Sequence, residues 1–195
     1  MKVLTYPFSE KSIRSLKVGD AVSITGRIYT GRDKLHKYFA DGGKLPVSFE
    51  DGALYHCGPV VIKDSNDNYK VMAAGPTTSV RENPYEPDFI AKTKVRIIIG
   101  KGGMDKATLQ AMHKHGCIYV QAVGGAAAVL ASSVRKVSGV SLLDEFGYAE
   151  AVWHFDVENF VGVVAMDSHS RCLFDDVKDS SAEQLDKLLK KDINF

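Results

Sequence analysis

Along the first hundred residues the apolar positions come in short runs of strand length, and after Gly103 stretches of helical period alternate with them. The first dozen residues read as an extended arm or edge strand, and Lys17-Val18-Gly19-Asp20 as a turn. Ala21 to Tyr29 reads as a strand with Val22, Ile24 and Ile28 apolar and Gly26 marking a bulge. Leu35, Tyr38 and Phe39 stand at helical spacing, which predicts a short amphipathic helix ended by Gly42-Gly43. Leu54 to Ile62 reads as one strand, Asp64 to Asn68 as a polar hairpin loop, and Tyr69 to Ala74 as the next strand. Asn83-Pro84-Tyr85-Glu86-Pro87 excludes a helix interior and reads as a rigid surface loop.

Val95 to Ile99 is a further strand. Met104 to His115 is helical, with Leu109 and Met112 on one face and Gly116 as its stop. Cys117 to Val120 reads as a strand, and Gly124 to Leu130 opens an Ala-rich helix. Ala151 to Val157 and Phe160 to Met166 read as two strands split at Glu158-Asn159. Ser181-Ala182-Glu183-Gln184 has the form of a capping box starting a terminal helix, with Leu185, Leu188 and Leu189 on its apolar face. This order predicts an α/β fold with a mixed sheet, as one domain over residues 1–195, without linker, repeat or low-complexity stretch.

Composition narrows the function classes. The 195 residues are 45% hydrophobic and 25% charged, with a formal net charge of +1. That balance gives no reason to expect nucleic acid or an anionic membrane as partner. No segment has the length of a membrane span and the first residues lack the apolar core of a signal peptide, so a cytoplasmic location is expected. Cys57, Cys117 and Cys172 are odd in number and far apart, which fits neither a disulfide framework nor a CxxC metal site. No metal is expected in this chain alone.

Two strand-end stretches carry the chemistry. Gly75-Pro76-Thr77-Thr78-Ser79-Val80-Arg81 places two hydroxyls and a guanidinium after a strand. Gly100-Lys101-Gly102-Gly103 places an ammonium in a glycine-rich turn before a helix whose N-terminus is expected to point at the same place. Arg32 stands at another strand-to-helix junction. Hydroxyls, planar bidentate forks and a point charge suit a small dicarboxylate. Each has a plain alternative: Thr77 and Thr78 as strand-end caps, Arg32 and Arg81 as solvated side chains, Lys101 in an ordinary turn. The spacing fits neither a phosphate loop nor a dinucleotide fingerprint, since Asp105 stands where the last glycine of GxGxxG would be. Six scattered histidines lack evident ligand partners; His36 and His56 lie nearest the candidate site.

At these residues the chain resembles a known family. Thr30-Gly31-Arg32-Asp33 with His36-Lys37, Tyr55-His56-Cys57-Gly58-Pro59, Gly75 to Arg81, Gly100-Lys101-Gly102-Gly103-Met104 and Glu150-Ala151-Val152-Trp153 are similar, in order, to the class I fumarate hydratase and L(+)-tartrate dehydratase family, and within it to the β subunit or C-terminal domain. The resemblance covers nearly the whole chain. It implies a swivelling β/β/α domain and reversible hydration of a C4 dicarboxylate. It also implies a [4Fe-4S] cluster held by a partner α subunit and not by this chain, in an αβ pair or a dimer of such pairs. By the same resemblance Arg32, Thr78 and Arg81 bind substrate, Thr77 takes a proton from carbon with help from a partner carboxylate, and Lys101 neutralises charge on the substrate or its aci-carboxylate intermediate. Fumarate, tartrate and methylated fumarate all fit two carboxylate forks. A stand-alone dicarboxylate-binding module is the alternative from another class.

Overall fold

The computed structural model describes residues 1–66 and 68–191. Among these the chain forms β1 (Lys2–Thr5), α1 (Glu10–Arg14), β2 (Ala21–Thr30), α2 (Asp33–Ala40), β3 (Ala53–Tyr55), β4 (Val60–Lys63) and β5 (Tyr69–Ala73). There follow α3 (Glu86–Thr93), β6 (Ile97–Gly100), α4 (Lys106–His115), β7 (Ile118–Gln121), α5 (Ala127–Ser132), β8 (Val134–Ser141), α6 (Leu143–Phe146), β9 (Val152–Met166) and α7 (Leu173–Lys191). Strands β1, β2, β3, β6 and β7 pair in parallel in that order. Strand β9 runs antiparallel to both β7 and β2, so this mixed sheet closes on itself as a barrel. Strand β8 lies along β9, and β4 and β5 form a separate hairpin. No helix of the described residues is long and apolar enough to cross a membrane.

The apolar runs are continuous because both faces of the sheet are buried. Ile97 and Ile99 face one core with Tyr55, Ile118 and Val120, whereas Ile98 faces a second with Leu54 and Tyr119. The first fills the barrel with Val22, Ile24, Phe155 and Phe160. The second lies under the helices, with Leu35 from α2, Phe89 and Ile90 from α3, and Leu109 and Met112 from α4. Truncating one such isoleucine to alanine costs about 2–5 kcal/mol.

The structure corrects the sequence reading at several places. The first dozen residues are not all extended, since Glu10–Arg14 is helix α1 with Ser9 as its cap. Leu54 to Ile62 is not one strand: Gly58-Pro59 separates β3 from β4, which belong to different sheets. The two strands expected around Glu158-Asn159 are one, because Asn159 takes a left-handed φ of 55° and is absorbed as a bulge opposite the register shift at Gly26. The loop of residues 83–87 is shorter than expected: Ser79–Glu82 is a 3-10 turn, and Pro87 sits in the first turn of α3, where its missing N–H costs nothing. Helix α7 begins at Leu173, so Ser181 lies inside it, and Leu185, Leu188 and Leu189 are exposed. Strand β8 was not anticipated. Asp67, in the expected hairpin loop, is outside the described residues.

Candidate functional site

Strands β2, β3 and β6 end side by side, and the carboxyl edge of a parallel sheet is where ligand sites form. Arg32 follows β2, His56 follows β3 directly, and Lys101 follows β6 directly. The Gly75–Arg81 segment is stitched between the last two. Thr77 N–H donates to the His56 carbonyl at 2.7 Å, Lys101 N–H to the Thr77 carbonyl at 3.2 Å, and Ser79 N–H to the Lys101 carbonyl at 3.0 Å. Backbone pairing therefore sets the positions of Thr77 and Thr78.

Of the five predicted residues, Thr78 and Lys101 touch: the ammonium donates to the Thr78 hydroxyl at 3.0 Å. Arg32 and Arg81 meet on one carboxylate, that of Asp33. Arg81 Nε and Nη2 donate to its two oxygens at 2.9 and 3.0 Å, and Arg32 Nε donates to Oδ2 at 3.4 Å. Arg32 Nε also lies 2.9 Å from Glu150 Oε1. The hydrogen bonds from Arg81 hold the Asp33 carboxyl below its usual range. Both side chains of the Arg81–Asp33 pair are 43% exposed, so the pair is worth at most about 1 kcal/mol and exchanges readily with an incoming anion. Thr77 completes the edge: its hydroxyl oxygen is buried and has no hydrogen-bond partner. The 3-10 turn of residues 79–82 joins the two contact groups.

The N-terminus of α4 carries a carboxylate of this chain. Asp105 caps it, accepting the Thr108 N–H at 2.9 Å, so its positive end already faces a carboxylate.

Beneath this edge lies a buried polar layer, of which the sequence reading singled out His36 and His56 but not their carboxylate partners. His36 from α2, His56, and Glu86 at the start of α3 are fully enclosed. Glu86 Oε2 is 2.9 Å from His36 Nε2 and 3.3 Å from His56 Nε2. His36 Nδ1 bonds the Arg32 carbonyl at 3.1 Å and stands 3.5 Å from Glu82 Oε2. His56 Nδ1 bonds the Ser79 hydroxyl at 2.9 Å, and Ser79 bonds the Tyr119 hydroxyl at 2.9 Å. Burial pushes the Glu82 carboxyl up to about 7 against the pull of His36. Burial also pushes His56 down. For Glu86 burial acts upward, but the two imidazoles outweigh it and hold the carboxyl low. Glu86 falls in the loop expected over residues 83–87 and Glu82 is not singled out by the sequence; their four-residue spacing around Pro84 is the one available sign.

Among the described residues, none of the three cysteines belongs to a group close enough to share an ion. Cys57, Cys117 and Cys172 are all buried, and burial raises the thiols of Cys57 and Cys117 far above the thiolate range. Among the described residues, the group of three or more His, Cys, Asp or Glu side chains close enough to share an ion is His36, His56 and Glu86, which contains no sulfur.

Residues 2–177 match the family model described as Fumarase C-terminus. A putative fumarate hydratase class I of Geobacillus stearothermophilus is 52% identical over 182 residues; the match covers 93% of this chain and 35% of that protein, so the chain spans about a third of that relative. A putative L(+)-tartrate dehydratase subunit beta of Methanocaldococcus jannaschii is 41% identical over 186 residues, covering 93% of this chain and 95% of its own. The L(+)-tartrate dehydratase subunit beta of Escherichia coli is 31% identical over 192 residues, covering 97% and 94%. With the family model spanning most of its length and the motif residues gathered at one sheet edge, the chain belongs to the fumarase C-terminus family.

Proposed function

We propose that the chain is the β subunit of a hydro-lyase, supplying the carboxylate-binding and proton-transfer residues of a site it shares with an α subunit. The proposed reaction is the reversible hydration of fumarate to (S)-malate. The observation that carries this reading is the convergence of Arg32 and Arg81 on the Asp33 carboxylate beside a threonine hydroxyl with no partner of its own. A substrate carboxylate can take the place that Asp33 holds, since the guanidinium fork matches it equally well. Lys101, fixed on Thr78, adds a positive charge for the second carboxylate and for the negative charge that develops when a proton leaves carbon. In this reading Thr77 moves that proton, which the unpartnered state of its hydroxyl supports. An unassisted hydroxyl is a weak base, so it works with a carboxylate from the partner.

The iron-sulfur cluster that the family resemblance implies belongs, in this proposal, to the α subunit, and the pair works in the cytoplasm. Dehydration of L(+)-tartrate to oxaloacetate is the second reading. It is favoured by the two relatives named as tartrate dehydratase β subunits, which match nearly end to end. Anaerobic co-purification with a cluster-bearing α-type chain, followed by fumarate and L(+)-tartrate turnover, decides between them. We expect turnover of one acid by the pair, none by either chain alone, and severe loss in Thr77→Ala and Arg81→Ala. Failure of the chains to associate, or full activity of both variants, removes the proposal.

A further inference from the structure

The buried layer beneath the edge has the composition and geometry of a metal site. We propose that His36, His56 and Glu86 hold one divalent transition-metal ion of the Zn²⁺ class, in a closed structural site that braces the carboxylate-binding residues above it.

Three observations support this. First, the donor atoms come from three separate elements and converge. His36 Nε2 and His56 Nε2 lie 2.9 and 3.3 Å from Glu86 Oε2, and all three donor atoms are within 4.8 Å of one another. Ligands bonded at 2.0–2.1 Å to a tetrahedral ion stand about 3.3 Å apart. Second, the contacts are short but poorly aligned for hydrogen bonds, although both imidazoles still pull on the Glu86 carboxylate. Both Nε2 atoms and both Glu86 oxygens are buried without a partner of hydrogen-bond geometry, despite the short separations. A hydrogen bond needs the ring N–H aimed at the oxygen. Ligands of one ion aim instead at a point between them.

Third, the outer contacts match a ligand set. The Arg32 carbonyl can only accept, so its bond to His36 Nδ1 puts a proton there, and in the neutral ring this leaves Nε2 with its lone pair. The Ser79 hydroxyl can accept from His56 Nδ1 and pass its own proton to Tyr119, which leaves the second Nε2 in the same state. Outer hydrogen bonds of this kind orient ligating histidines. Two imidazoles and one carboxylate favour Zn²⁺ and its neighbours; Ca²⁺ and Mg²⁺ require more oxygens. Glu86, with both oxygens unpartnered, can supply a fourth donor. The buried Glu86 carboxylate offsets part of the charge of the ion.

The site lies under the substrate groups. His36 holds the Arg32 carbonyl, and the His56 carbonyl accepts the Thr77 N–H, so the ion would tie the backbones of both residues to α3. The competing arrangement is an imidazolium at His36 paired with Glu86 and no metal.

The test uses the whole chain. It is unfolded with a chelator, refolded with or without Zn²⁺, desalted and analysed by plasma mass spectrometry; a parallel sample is refolded with Co²⁺. We expect about one Zn²⁺ per chain, a melting temperature several degrees higher with the ion, and the visible bands of four-coordinate Co²⁺. His56→Gln and His36→Gln should each lose at least tenfold in metal content. The Co²⁺ spectrum of the unsubstituted chain keeps the test decisive if a variant fails to fold. Less than a tenth of an ion per chain with no Co²⁺ bands overturns the proposal in favour of the imidazolium pair. A stoichiometric ion that survives both substitutions overturns the ligand assignment.

Discussion

Arg81 lies on Asp33 through two parallel hydrogen bonds, and Asp33 in turn reaches Arg32, so one carboxylate of the chain occupies the fork between two guanidiniums. If Asp33 stands where a substrate carboxylate docks, Asp33→Asn removes a competitor. In the partnered enzyme its KM for the dicarboxylate should fall, and stability should change by no more than about 1 kcal/mol because the pair is half exposed. Arg81→Lys keeps the charge and loses the fork. A hydrogen bond to a charged group is worth about 1.5–3 kcal/mol, so kcat/KM should fall roughly ten- to hundredfold. Steady-state kinetics on both variants checks this. A KM that rises in both shows Asp33 to be a positioning partner of Arg81 rather than a stand-in for substrate.

Arg32 has its place because Gly58 has no side chain. A Cβ on Gly58 would lie 2.4 Å from Arg32 Nη1 and 2.8 Å from the Ala149 carbonyl. The guanidinium can swing away; the carbonyl yields less, and overpacking of this kind costs about 1–3 kcal/mol. Gly58→Ala should therefore raise KM for the dicarboxylate while kcat changes less, and lower the melting temperature by a few degrees. An unchanged KM would place Arg32 outside the binding site.

The gathering of the candidate residues at one sheet edge was legible in the sequence, whereas several elements around that edge were not. Arg32, Thr77, Thr78, Arg81 and Lys101 lie on short segments attached to strand ends, and a parallel sheet brings such ends to one edge whatever the detail of its loops. The Gly26 bulge and the Gly116 stop were legible for a similar reason: both need positive φ, with Gly26 at 117° and Gly116 at 67°. Strand β8 was hidden by its own geometry. Its register shifts twice, once between Val134 and Lys136 and once between Val137 and Gly139. Each irregularity displaces the alternation, so Val134, Val137 and Val140 all pack on the core at a spacing of three, which hides the period of two that marks a strand. The enclosure of Glu82 and Glu86 was hidden because it depends on α2 and α3 closing over the ends of β3 and β6, a tertiary relation that no local pattern encodes.

His154 should give the chain an acid sensitivity. Its ring packs edge-on against Tyr29 with centroids 5.1 Å apart and bonds the Ser141 hydroxyl at 3.1 Å. Burial lowers its pKa below 6.5, Arg27 lowers it further, and Asp156 opposes them. As pH falls through 6.5 the unfolded chain takes up the proton first, so stability declines until the folded-state pKa is crossed. Urea titrations between about pH 7.5 and 5 should show this decline, and His154→Gln should make it shallower. Identical slopes in the two proteins would assign the acid sensitivity to other groups.

Thr77 separates stability from chemistry. Its hydroxyl oxygen is buried and makes no hydrogen bond, so the folded chain bears the cost of desolvating it without return. Thr77→Val preserves the shape and removes that cost, so the melting temperature should hold or rise slightly. The same substitution removes the only group at position 77 able to carry a proton. Turnover by the partnered enzyme should then drop by about 10²-fold or more, the usual contribution of a positioned acid–base group. Thr77→Ser restores the hydroxyl and should recover a large part of the rate. Loss of stability in Thr77→Val would mean that the hydroxyl has a structural partner after all. An active Thr77→Val would move the proton transfer to a group on the other subunit and leave Thr77 as a wall of the site.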